Sequence, residues 1–304
     1  MAYYRTDEQE YGYGSRGRGV GGGSNFRWGG LLVAVLFAGF AVCKYYSQSQ
    51  VNEITGEKQH VGAITKEQEM ALGMESAPHM AQQYGGLYPD QRAQAFVKQV
   101  GNKIVDNSVV ARSGYEFDFH LLADPNVINA FALPGGQVFI TQALFSKLQN
   151  EDQLAGIFGH EIGHVIARHG AERMAKDQLI QGVTGAAVIA AGDYSSAQGI
   201  QMIANMIGLK YGREQELESD DLGVRFMYEA GYDPTHMIEV MKILKAAGGP
   251  NRAPEFQSTH PDPENRIEKI QAAIEKYTQG RRLDQGNNSN SEAPAIKLKD
   301  PNFK

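Results

Sequence analysis

The chain has 304 residues, 29 Lys and Arg against 35 Asp and Glu, a formal net charge of -6 at pH 7 and a single cysteine. This balance leaves no basic footprint for a nucleic-acid partner, and one cysteine excludes an intramolecular disulfide and offers the globular part no thiol nucleophile.

Residues 1–26 are rich in Tyr, Gly and Arg without apolar periodicity and read as a disordered tail. Residues 27–46 are apolar, bracketed by Arg27 and Lys44 and by the aromatics Phe26, Trp28, Tyr45 and Tyr46. About nineteen helical residues span roughly 28 Å, which predicts a single transmembrane anchor. Arg16, Arg18 and Arg27 precede it and only Lys44 follows closely, so the positive-inside rule puts the following domain in an extracytoplasmic, periplasmic compartment. A cleaved signal peptide competes, but the preceding tail is long and no small-x-small site follows; lipidation at Cys43 is a minor alternative. Asp7, Glu8 and Glu10 argue against a mitochondrial transit peptide.

Residues 47–280 read as one domain, mainly helical with a small sheet. Apolar positions recur at helix spacing over Lys66–Tyr84 and Gln91–Asn107, Phe117–Leu122 alternates like a strand, and Val138–Thr141 pairs with it. Between them Pro134, Gly135 and Gly136 mark a turn.

The segment His160-Glu161-Ile162-Gly163-His164 follows, inside an apolar helical run. Helical positions four apart lie about 40° apart around the axis and roughly 6 Å along it, so His160 and His164 point one way and can share a zinc ion. Glu161 projects beside them, placed as a general base for the attacking water. A tetrahedral catalytic zinc needs a third protein ligand. The metzincin extension would require Gly at 167 and His at 170, where the chain has Ala167 and Gly170. His169 reads as a helix-surface residue. The third ligand is expected from the acidic cluster Glu214, Glu216, Glu218, Asp220 and Asp221. Glu216 and Asp220 share a helix face, so one can reach the metal while the other hydrogen-bonds a ligating histidine from behind. Glu214, Glu218 and Asp221 read as complements of a helix dipole. Gly223 on the same face lets two helices approach closely.

Residues 178–209 are expected to form two small-sided helices around a break at Gly192–Ser196, packed over the cleft as plain core, with a lid or a dip into the membrane surface as the alternatives. His260 sits on a loop before Asp262 and Pro263, which are expected to cap a last helix running toward Gly280. Residues 281–304 read as a disordered polar tail.

Taken together, His160-Glu161-x-x-His164, Glu216-x-x-x-Asp220, Asn129-Ala130-Phe131-Ala132-Leu133-Pro134-Gly135-Gly136 and Ser258-Thr259-His260-Pro261 resemble the membrane-associated gluzincin zinc metallopeptidases. That family includes the CAAX prenyl endopeptidase, the heat-shock membrane protease and the periplasmic β-barrel-assembly-enhancing protease. The resemblance covers roughly residues 60–275 and is nearest to the single-anchor subgroup with a soluble catalytic domain. It implies an α+β, mainly helical zincin-like fold with a small antiparallel sheet and one zinc ion per chain held by His160, His164 and Glu216. It further implies Glu161 as base, Asp220 behind a ligand, and His260 near the metal as a gate or oxyanion donor. Asn129, Ala130, Pro134, Gly135 and Gly136 would form an edge strand and turn along which a substrate backbone pairs. The expected function is endoproteolysis of misfolded or membrane-proximal polypeptides; the alternative is a chaperone-like or scaffolding protein whose zinc site is structural or repressed.

Overall fold

Two helices carry the motifs, and glycines let their backbones touch. The computed structural model describes residues 28–62, 64–191, 211–247 and 254–284. The expected tail 1–26 and the break at Gly192–Ser196 lie outside these residues, as does nearly all of the tail 281–304.

Helix α1 (Trp28–Ser47) precedes a two-stranded antiparallel hairpin, β1 (Ser49–Val51) with β2 (Lys58–His60). Helices α2 (Lys66–Gln83) and α3 (Gln91–Asp106) follow. Thr65 and Gln68 close a reciprocal cap on α2, and the Asp90 side chain accepts from the amides of Arg92 and Ala93 to start α3. A three-stranded sheet then forms from β3 (Asp118–Leu122), β4 (Ala130–Ala132) and β5 (Gln137–Thr141) in the order β3-β5-β4. It is mixed rather than antiparallel: β5 pairs with β4 through the Pro134-Gly135-Gly136 turn, and β3 lies parallel to β5 on its other side. Beyond the short α4 (Gln142–Phe145) come α5 (Glu151–Ile166), α6 (His169–Ala191), α7 (Arg213–Glu229), α8 (His236–Ala246), the short α9 (Glu255–Thr259) and α10 (Arg266–Asp284).

Helix α5 is buried on nearly all sides, which explains why its sequence is apolar around the full turn. Asn150 caps its start by accepting from the Gln153 amide, and Glu151 and Asp152 complement its positive end. At the other end the β1–β2 hairpin donates side-chain amides: Asn52 Nδ2 reaches the Ile166 carbonyl at 2.7 Å and Gln59 Nε2 the Ala167 carbonyl at 2.5 Å. A Cβ on Gly159 would lie 3.0 Å from the Gly223 carbonyl oxygen, and one on Gly163 2.9 Å from that of Ser219, so α5 and α7 meet backbone to backbone. Phe119, Phe158, Phe226, Leu154 and Val240 fill the core around this contact.

Two expectations are corrected here. The single membrane span forms a helix, but among the described residues no helix is long and apolar enough to cross a membrane. Between Leu31 and Cys43 the uninterrupted apolar run is about 13 residues, or about 20 Å, short of a ~30 Å hydrocarbon core; one side of α1 lies along α6. The last helix starts at Arg266, not at Pro263, because Asn265 adopts a left-handed conformation with φ 63° that helical propagation does not pass through.

Candidate metal centre and cleft

One turn of α5 sets His160 and His164 side by side, and the α5–α7 contact brings Glu216 up to both. The two Nε2 atoms lie 3.1 Å apart, and the Glu216 carboxylate is 3.5 Å from His160 Nε2 and 3.4 Å from His164 Nε2. His260, which ends α9, reaches the same point: its Nδ1 is 3.3 Å from His160 Nε2 and 3.0 Å from Glu216 Oε1. All four residues are buried.

The fit to a metal ion follows from these separations. Donors bound tetrahedrally at about 2.1 Å stand about 3.4 Å from one another, and imidazole with carboxylate is the donor set of catalytic zinc. The four side chains each offer an atom within 4.8 Å of the others, with the closer pairs at 3.0 to 3.5 Å. Glu216 Oε2 makes no hydrogen bond, although the Arg266 guanidinium lies 3.3 Å away. His160, His164 and Glu216 thus fit as residues that would hold one zinc, and His260 Nδ1 offers a further donor atom beside them.

Each histidine is held from behind. His160 Nδ1 donates to Asp220 Oδ1 at 2.9 Å, and Arg266 grips the same carboxylate through Nε at 2.7 Å and Nη2 at 2.9 Å. His164 Nδ1 meets His169 Nδ1 at 2.8 Å, and His169 Nε2 faces Glu218 Oε2 at 3.2 Å. His169 is therefore no surface residue but is completely buried, and Glu218 does more than complement a helix dipole. The residues missed at the sequence level are His169, Glu218, Arg266 and Tyr211, whose ring stacks on His164 with centroids 3.9 Å apart. Nothing in their local spacing marked them. Of the remaining acids, Asp221 pairs with Lys276 at the surface.

Burial disfavours a protonated His160, but Asp220 and Glu216 overcome it and push its pKa up to about 9. At His164 burial dominates, partly opposed by Glu216, and holds the imidazole neutral. Burial would also raise Glu216, yet His260, His160 and His164 hold its carboxyl far below the usual range. Glu161 is raised by burial, with His260 and His160 working the other way. Its Oε1 lies 3.7 Å from His260 Nε2, and neither atom has a hydrogen bond among the described residues. The Ala132 main chain of β4 also works to lower the Glu161 pKa.

In β4 the Leu133 amide bonds to Gln137 and the Thr141 amide to Asn129. The alternation of an antiparallel pair leaves the main-chain groups of Ala130 and Ala132 pointing off the sheet edge. That edge faces Glu161. Pro134, Gly135, His164, Arg168 and Tyr211 line a small cavity beside it. Gly136, with φ 112°, completes the turn into β5 without lining that cavity. Asn129 is placed differently: its Nδ2 donates to Tyr84 and to Glu255 Oε1 at 3.1 Å, tying β4 to α9 rather than facing the cleft.

Comparison with known proteins gives a consistent result. The sequence pattern of peptidase family M48 matches residues 91–274. The mitochondrial metalloendopeptidase OMA1 of Schizosaccharomyces pombe is 28% identical over 249 residues, 81% of this chain and 71% of that protein. The beta-barrel assembly-enhancing proteases of Yersinia pestis and Escherichia coli K12 are 30% and 29% identical over 214 residues, 67% and 66% of this chain. The chain spans 43% and 42% of the length of those two bacterial relatives.

Proposed function

This chain belongs to peptidase family M48, and from that premise we propose that it is a zinc metalloendopeptidase that cuts unfolded or membrane-proximal polypeptides in protein quality control. The observation that carries this reading is the convergence of His160, His164 and Glu216 with an adjacent buried carboxylate, Glu161, that no structural zinc clip would need.

Zinc held by His160, His164 and Glu216 would supply Lewis acidity, polarising a peptide carbonyl and bringing the pKa of a water to about 7. Glu161 takes the proton from the attacking water and passes it to the departing amine, and its burial-raised pKa suits both transfers. The outward main-chain groups of Ala130 and Ala132 pair with an extended substrate, which selects for backbone rather than side chain and keeps specificity loose. The Pro134–Gly136 turn shapes the end of that path, while Asn129 acts from behind by holding β4 against α9. His260, whose Nδ1 lies 3.3 Å from His160 Nε2 and 3.0 Å from Glu216 Oε1, would serve as a gate that withdraws when substrate enters. The exposed Leu32, Leu36 and Phe40 of α1 support attachment to a membrane surface.

The test is casein cleavage by wild type and Glu161→Gln at equal zinc content. Loss of a general base is expected to lower kcat by about 10² to 10⁴; equal cleavage by both ends the peptidase reading. The closed position of His260 also favours a second reading, a chaperone-like protein whose zinc site stays repressed. Wild type that suppresses aggregation of an unfolded client yet never cleaves it would establish that alternative.

A further inference from the structure

His160 and His164 are supported in different ways, and the second support rests on a backbone irregularity. Two residues five apart on a continuous helix would stand about 140° apart around its axis, so His169 on an extended α5 would point away from His164. The helix instead stops at Ile166, and Arg168 takes a left-handed conformation, φ 53°, before α6 begins at His169. For a residue other than glycine that conformation costs roughly 1–2 kcal/mol. It is held by Glu69 of α2, which accepts from Arg168 Nε at 3.2 Å and Nη2 at 3.0 Å, and by the Ile64 carbonyl at 2.9 Å. The turn brings His169 back under His164, Nδ1 to Nδ1 at 2.8 Å.

Hydrogen-bond logic then orders the protons. A carboxylate only accepts, so Glu218 Oε2, 3.2 Å from His169 Nε2, keeps the proton of His169 on Nε2. His169 Nδ1 is left as an acceptor and takes the Nδ1–H of His164, and His164 Nε2 is left with its lone pair facing Glu216. We propose that His169, backed by Glu218 and set in place by the Arg168 turn, is a positioning residue that fixes the tautomer and aim of His164. It is the counterpart of Asp220 and Arg266 behind His160. The assignment rests on the zinc reading above.

The test uses the full-length chain. Zinc affinity is measured by competition with a chromogenic chelator, and ligand geometry by the visible spectrum of the cobalt-substituted protein. His169→Leu, which removes the acceptor, is expected to weaken zinc about 10- to 100-fold and to shift the cobalt bands. His169→Gln, whose amide oxygen can accept from His164, should recover most of both. A merely structural role would lower the melting temperature of the metal-free protein while leaving zinc affinity within twofold and the cobalt spectrum unchanged, and that result overturns the assignment. If His169→Leu does not fold, Glu218→Ala, at the partly exposed end of the relay, is read by the same two measurements; weakened zinc supports the proposal and affinity within twofold overturns it. Wild type that retains no zinc would bring down the peptidase reading and this assignment with it. Wild type that holds zinc while His169→Leu is unchanged brings down this assignment alone.

Discussion

Arg266 and Asp220 form a buried pair whose role is set by what the carboxylate also touches. Burial works against the charged Asp220, but Arg266 and His160 more than offset it and lower its pKa. With the folded pKa depressed below the unfolded value of about 3.9, protons bind the unfolded chain first as pH falls. The stabilisation from Asp220 is therefore complete above about pH 5 and is lost as the pH drops through the folded value. Urea midpoints between pH 6 and pH 3 should fall less steeply for Asp220→Asn than for wild type; identical acid limbs would show that the pair contributes nothing. His260 lends itself to a second test at this scale, because its ring is held against Phe256 with centroids 4.4 Å apart while Nδ1 stays on Glu216. As a gate, its loss in His260→Ala should raise basal casein turnover about threefold to tenfold, equivalent to removing roughly 1 kcal/mol of barrier. An unchanged or lower rate at full zinc content removes the gating role. The pairing of His160 with His164 was legible in the sequence because both sit on one turn of one helix. His169 was not legible, because the reading assumed that the helix ran on through Arg168.

Helices α5 and α7 approach closely enough that the α7 carboxylates reach the α5 imidazoles, and glycine makes this possible. Gly163→Ala would place its Cβ about 2.9 Å from the Ser219 carbonyl oxygen and 3.0 Å from the Ser219 Cα. Both are backbone atoms that cannot swing away, so the helices must separate. The expected result is destabilisation of about 1–3 kcal/mol together with weaker zinc retention, read by thermal melts and metal content after dialysis. A variant with wild-type melting temperature and zinc content would show that the close contact is not needed. Element existence was legible where periodicity is local, as in α2, α3 and β3. The antiparallel expectation holds for β1–β2 and β4–β5, but β3 runs parallel to β5 because β5 inserts between β3 and β4, a placement that the Pro134–Gly136 turn and long-range packing decide.

At the scale of the whole molecule, α1 packs one side on α6 and leaves Leu32, Val35, Leu36, Phe37 and Phe40 exposed. Exposed apolar side chains on a continuous helical surface mark a surface that another apolar phase covers. Burying Leu36 and Phe40 in a membrane interface is worth about 1.5–3 kcal/mol each. The double variant Leu36→Glu, Phe40→Glu should therefore float with liposomes at least tenfold less than wild type while retaining casein cleavage. Equal flotation would exclude α1 as the attachment surface. The apolar composition of this segment was evident in the sequence, but its length was overread, because flanking aromatics and glycines were counted toward a span that the uninterrupted apolar run does not fill.

The sequence by itself determined the chemistry available to this protein: two imidazoles and a carboxylate within one helical turn, since i, i+4 geometry is intrinsic to the α-helix and needs no partner. Helix spacing left open which acid of α7 faces those imidazoles and where His260 comes to rest, for which the sequence offered only a family resemblance, and the tertiary structure alone decided how His169 returns beneath His164. Those placements depend on which helix the glycine-lined face meets and on a left-handed turn held by Glu69; Gly223 showed in the sequence that a close approach was possible, but neither its partner helix nor an unfavourable backbone angle is written in local spacing.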